Sequence, residues 1–177
     1  MTKTVKTFHT HRLTFGFDDK VIRKSTTKAK IYRGVTLLTP GVFSDSMTQS
    51  PVTYSEDVLR KYADNWTDNY LNLNHSYEVL DRIGYIDNPR WEDGAVKADL
   101  YIYPVTENAR NTIELIEKGL INWLSVEIKT EDRFDSSTRE RYVHTIEFIG
   151  AAVVTLPACP DAKIKSDGPD VKSTHYE

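Results

Sequence analysis

Few residues in this chain are equipped for covalent chemistry. Ser125 stands in Trp123-Leu124-Ser125-Val126-Glu127-Ile128, where apolar and polar residues alternate with the period of a strand. If Leu124, Val126 and Ile128 face a core, Ser125 faces the other way, held rigidly where a substrate can lie. A serine hydroxyl becomes an effective nucleophile only when a base takes its proton, and imidazole is the usual one. Of the 5 histidines, His9, His11 and His175 fall in polar terminal stretches, which leaves His75 and His144 for the fold to position. The third requirement is a group that orients the imidazole and stabilises its charged form. Glu147, in Thr145-Ile146-Glu147-Phe148-Ile149, is a carboxylate among apolar residues; buried unpaired it would be costly, so it calls for a partner such as an imidazolium. His144, on the same stretch, competes for that third place. Each residue also has a plainer reading: a surface serine, a satisfied core histidine, an edge carboxylate facing water.

Other chemistries lack their residues. The 8 glycines are scattered and form neither a phosphate loop nor a dinucleotide fingerprint. There is no His-Glu-x-x-His and no carboxylate cluster of the metal-binding kind. Cys159 is the single cysteine, so a disulfide framework and a cysteine-based zinc site both fall. His9-x-His11 is a potential metal pair, but it belongs to the N-terminal stretch. No cofactor and no metal are expected.

The positioning elements follow from periodicity. Lys30 to Thr39 is rich in β-branched and aromatic residues and ends at Pro40-Gly41, a strand entering a turn. Ser55 is an N-cap, and Val58, Leu59, Tyr62, Ala63 and Trp66 recur at helical spacing, predicting a helix over 55–66. Tyr70 to Asn74 alternates as a strand. Asp81 to Ile86 and Ala95 to Tyr103 are strands flanking a turn region over 87–94. Thr106 caps a second helix carrying Ala109, Ile113, Ile116 and Leu120, ended by Gly119. Asn122 to Thr130 is the serine strand, 131–140 a polar hairpin loop, and Arg141 to Leu156 a long strand, apolar on both faces in its second half. The sum is a mainly β (α+β) domain with two helices and enough strands to close a barrel.

Charge divides the chain. The net charge is −3, yet residues 1–30 carry eight basic and two acidic side chains, a local +6, so the other 147 residues sum to −9. The expected organisation is a basic flexible arm over 1–29, one domain over 30–164 and a polar disordered tail over 165–177. The longest apolar stretch, Phe148 to Leu156, is about half of a membrane span, and residues 1–15 lack the apolar core of a signal peptide, predicting a cytoplasmic-type protein.

Three segments, in this order, resemble the prohead (procapsid maturation) proteases of tailed bacteriophages. The first is Leu73-Asn74-His75-Ser76-Tyr77-Glu78 with Arg82-Ile83-Gly84-Tyr85-Ile86, similar to the family's histidine shortly before an Ile-Gly-x-Val-like strand. The second is the serine strand Trp123 to Ile128. The third, Ile146 to Ala162, looks like the family's Glu-x-Ser-Leu-Val-Thr-x-Pro-Ala-x-Pro-x-Ala ending. Many relatives carry His-Asp where this chain has His75-Ser76, an Ile-Gly pair where it has Val126-Glu127, and Ser where Ala151 or Ala152 falls.

The resemblance covers about residues 30–164 and implies His75 as general base, Ser125 as nucleophile and Glu147 as orienting carboxylate. The similar herpesvirus assemblin proteases pair serine with two histidines, which keeps His144 as the alternative third member. It also implies a closed or nearly closed barrel with two to three flanking helices. The implied activity is a serine endopeptidase that cleaves scaffold and capsid-protein segments, and itself, inside the procapsid in the host cytoplasm. Its implied partners are the major capsid protein or its scaffold segment, the portal, and further copies of itself; no membrane and no nucleic acid are expected. Cleavage of the chain itself would fall in the basic arm before Lys30 or the tail after Ile164. Two rival readings use the same residues. One is a catalytically degenerate capsid-assembly factor on the same fold. The other is a single-stranded nucleic-acid-binding barrel that stacks bases on surface Tyr and Trp, opposed by the acidic body.

Overall fold

A computed structural model describes residues 28–44 and 50–164, so His9, His11, His175 and most of the expected arm and tail lie outside the described residues. The elements are β1 (Lys30–Leu38), β2 (Gly41–Ser44), β3 (Pro51–Tyr54), α1 (Glu56–Tyr62), β4 (Trp66–Leu73), β5 (Arg82–Glu92), β6 (Ala95–Ile102), α2 (Glu107–Glu117), β7 (Trp123–Asp135) and β8 (Glu140–Val154), with one 3-10 turn at Val79–Asp81. The mainly β character and the two helices match the reading of the sequence.

The eight strands form one sheet in the order β1-β6-β5-β4-β8-β3-β2, with β7 also paired to β8. The long β8 is the hub. Along one side it takes β3 at Tyr142 and, further on, β4 from Phe148 to Val153, both parallel. Antiparallel β7 runs along its whole length on the other side. Strand pairing among the described residues leaves the sheet open. Residues 162–164 bridge the gap between β7 and β1: Leu124 N–H donates to Ala162 O (3.0 Å), Ile164 N–H to Asn122 O (3.1 Å) and Thr36 N–H to Lys163 O (3.2 Å).

One apolar cluster fills the inside of the curved sheet, built on Tyr32, Leu37, Leu59, Leu100, Leu124 and Phe148. Both helices start where their caps predict. Ser55 Oγ accepts from Val58 N–H (3.4 Å) and Thr106 Oγ1 from Ala109 N–H (3.1 Å). Helix α1 nevertheless stops at Tyr62 rather than at 66, because Trp66 opens β4 and stacks on Phe148 at 4.8 Å.

Two expectations need correction, and one element was not anticipated. The polar stretch 131–140 is mostly strand, since β7 and β8 stay paired out to Asp135 and Glu140. Both faces meet water there, so polar residues pair at little cost. The 87–94 region is also mostly strand: β5 runs to Glu92 with an irregularity between Asp87 and Arg90, and the turn shrinks to Asp93-Gly94, both at positive φ. The hairpin β2–β3 was not legible in the sequence pattern.

Gly84 is fixed by a close approach: a Cβ there would lie 1.8 Å from Tyr101 O, a backbone atom that cannot yield cheaply. Gly84→Ala should therefore destabilise by about 3 kcal/mol. Gly94→Ala, with nothing within 4 Å and only the positive φ of its turn to pay for, should cost about 1 kcal/mol. Urea unfolding of the two variants checks the contrast.

Candidate active site

Ser125 faces as its strand pattern predicts. Leu124 is wholly buried, Val126 and Ile128 pack against the core, and Ser125 and Glu127 occupy the opposite face of β7. Registers across three strands define that face. Asn72 of β4, Ala152 of β8 and Ser125 form one row; Tyr70, Gly150 and Glu127 form the next on the same face. Ala152 is fully buried yet outside the core cluster, so it floors this outer face.

His75 is delivered by a tight turn at the end of β4. Asn74 and His75 both have positive φ (47° and 56°), and Ser76 N–H donates to Leu73 O (2.8 Å). Asn and His tolerate this region better than most residues, and two such residues in succession make a turn of type I′. Buried Asn72 locks it by donating from Nδ2 to Ser76 O (3.0 Å). The turn swings the imidazole over the middle strand, where Nδ1 meets Glu127 Oε1 at 3.0 Å. The second carboxylate oxygen, Oε2, accepts from Tyr70 OH at 2.5 Å.

The carboxylate that holds His75 is thus Glu127. Glu147 pairs instead with Lys129 Nζ (3.5 Å), and Lys129 lies four residues along β7 from Ser125, about 13 Å away at strand rise. His144 contacts Arg133 Nη2 through Nε2 (2.8 Å), still further down the same hairpin. Structure brings His75 to the face of Ser125 and leaves Glu147 and His144 on distant rungs. Two signals in the sequence point to Glu127. Ser125-x-Glu127 places both side chains on one face of a strand. When the family ending is anchored on Thr155-x-Pro157-Ala158, its Glu falls on Gly150 and the Gly that follows its serine falls on Glu127. These two positions are direct cross-strand partners.

Electrostatics suit a base. Burial opposes the charge on Glu127, but hydrogen bonds from His75 and Tyr70 and the nearby Arg82 outweigh it and hold the carboxyl below the usual range. An ionised acceptor at Oε1 requires the hydrogen on Nδ1 of a neutral imidazole, which leaves Nε2 with the lone pair that a general base uses. Neither Nε2 nor Ser125 Oγ hydrogen-bonds another described residue. A cleft of about 210 Å³, lined by Asn72, Ser76, Tyr77, Glu78, Val79 and Arg82, opens beside the turn.

A carboxyl depressed in the folded state stabilises the fold above its unfolded pKa, and that contribution disappears as pH falls through the folded value. Glu127→Gln should therefore cost about 2 kcal/mol at pH 7, the scale of hydrogen bonds to a charged group, and the two proteins should converge in stability under strong acid. Glu147→Gln, which removes only a half-exposed ion pair, should change stability by less than about 1 kcal/mol. Denaturant unfolding across pH measures both.

No family model matches the sequence, and no curated protein matches it either. Among solved structures, the chain is similar to the bacteriophage T4 capsid assembly protease, gp21, at 12% identity and a TM-score of 0.47, over 73% of this chain and 98% of that one.

Proposed function

We propose that this chain is a serine endopeptidase of the procapsid-maturation kind, with Ser125 as nucleophile, His75 as general base and Glu127 as the group that orients the imidazole. The observation that carries this reading is the 3.0 Å contact between His75 Nδ1 and Glu127 Oε1, on the face of β7 that also bears Ser125. Ser125 Oγ bonds to the scissile carbonyl carbon while His75 Nε2 takes its proton. The C–N bond then breaks, the leaving amine receives that proton, and water releases the acyl group by the reverse sequence. Substrate binding is then the step that would bring Ser125 Oγ and His75 Nε2 into hydrogen-bond contact.

The substrate class comes from the motif resemblance: scaffold and capsid-protein segments, cleaved within a procapsid in the host cytoplasm. The same resemblance supplies self-association and a barrel, which here would be completed through residues 162–164. The cleft beside the His75 turn offers a recess for a substrate side chain.

Ser125→Ala should abolish cleavage of a co-expressed capsid precursor while leaving the unfolding transition of the protease in place. Undiminished processing by that variant would remove the assignment. Self-cleavage has its own readout: intact mass of the wild-type protein after assembly should show loss of residues before Lys30 or after Ile164. The Ser125→Ala protein should keep both ends.

A further inference from the structure

We propose that Tyr70 is a positioning residue for the Glu127–His75 pair, and that Gly150 is the position that lets it act. The proposal rests on the serine-protease reading above and adds a component to it. A carboxylate with two free oxygens can rotate about its terminal torsion and present either one to a histidine. Tyr70 removes that freedom. Its hydroxyl holds Oε2 at 2.5 Å, so Oε1 alone remains for His75 Nδ1.

The reach of the ring depends on the strand between. Tyr70, Gly150 and Glu127 occupy one rung of β4, β8 and β7, two strand spacings across, or about 10 Å between the outer Cα atoms. The phenol spans this distance by lying directly over Gly150. A Cβ at 150 would be 2.5 Å from Tyr70 Cε2 and 2.6 Å from Cδ2, so any side chain there displaces the ring. The Arg82 guanidinium also lies over the ring, at 4.7 Å from its centroid. Contact with the backbone at Gly150 and with this cation restricts the ring, which is how a side chain on one strand can fix a group two strands away.

Charged and titratable groups around the pair are few. Tyr70 comes from β4, His75 and Tyr77 from the segment after it, and Arg82 from the start of β5. Burial and the Glu127 carboxylate push the Tyr70 phenol well above its usual range, so it remains a donor at every working pH. Removing that donor takes away one of the hydrogen bonds that keep Glu127 ionised. The protonation of Glu127 then moves to higher pH, and the acid limb of any reaction that needs the Glu127–His75 pair moves with it.

A fluorophosphonate probe tests this without knowledge of the natural substrate. Ser125 Oγ forms a bond to phosphorus, fluoride departs, and the serine proton goes to His75, so the labelling rate reports the activated nucleophile. The full chain is labelled across pH as wild type, Tyr70→Phe, Glu127→Gln and the double variant, with Ser125→Ala as the blank. Tyr70→Phe should slow labelling about tenfold, the lower end of what one hydrogen bond to a charged group contributes, and should shift the acid limb upward. In the Glu127→Gln background the same change should add nothing, because Tyr70 acts only through that carboxylate. Gly150→Ala should reproduce the Tyr70→Phe profile. An unchanged acid limb in Tyr70→Phe, or losses that simply add in the double variant, would overturn the role of Tyr70 while leaving Ser125 and His75 in place. Wild-type labelling no faster than the Ser125→Ala blank would instead overturn the protease reading, and this role with it.

Discussion

A carboxylate with little access to water has to be paired, and the surroundings of Glu127 are arranged around that requirement. Its side chain is only 14% exposed, and each oxygen has one donor. Those donors impose conditions on the rest of the sheet. The middle strand must carry Gly150 so that an aromatic ring can cross it, and β4 must end in a left-handed turn that throws His75 back over the sheet. An irregularity in the β7–β8 register, where Glu127 pairs with Gly150 but Ile128 with Phe148, leaves Ile149 unmatched. That extra residue lets Phe148 face the core while Gly150 faces the site.

Asp99 shows what the same constraint yields without reactive consequences. It is 5% exposed and satisfied by Gly34 N–H at 2.9 Å, Arg33 at 3.0 Å and Arg90 at 3.4 Å. Its donors are a backbone N–H and two guanidinium groups, and the cluster pins the irregular part of β1 to β6. Glu127 has an imidazole as one of its two donors, and the far nitrogen of that ring is left to engage something further. A buried and a half-buried carboxylate on one sheet thus differ in what lies beyond the first hydrogen bond.

Much of this was legible from residue type and spacing. The serine strand announced its faces through Leu124, Val126 and Ile128, the helices announced their starts through Ser55 and Thr106, and elimination left few histidines to consider. What remained hidden depends on register. Nothing in a single strand says that Glu127 will stand opposite Gly150, or that Tyr70 of a parallel neighbour will share their rung. Glu147 stands out in the sequence because it is flanked by apolar residues, but alternation along β8 turns it outward beside Lys129. The polar stretch 131–140 looked like a loop because hydrophobicity was absent, whereas cross-strand pairing needs only backbone groups and a partner. The end of α1 is ambiguous in the sequence because Trp66 suits a helical stripe as well as a strand; its stacking on Phe148, a tertiary contact, decides between them.

The bridge made by residues 162–164 has a consequence for the order of folding. β7 is held by β8 on one side, and at Leu124, next to Ser125, by Ala162 on the other. The same short segment ties to Thr36, across a sequence separation that spans nearly the whole domain. Contacts of such high order form late, and on the ribosome they cannot form until the last of these residues has emerged. The support on this side of the serine strand is consequently absent from a nascent chain until residues 162–164 have emerged, so the topology itself sets when that strand gains its second neighbour.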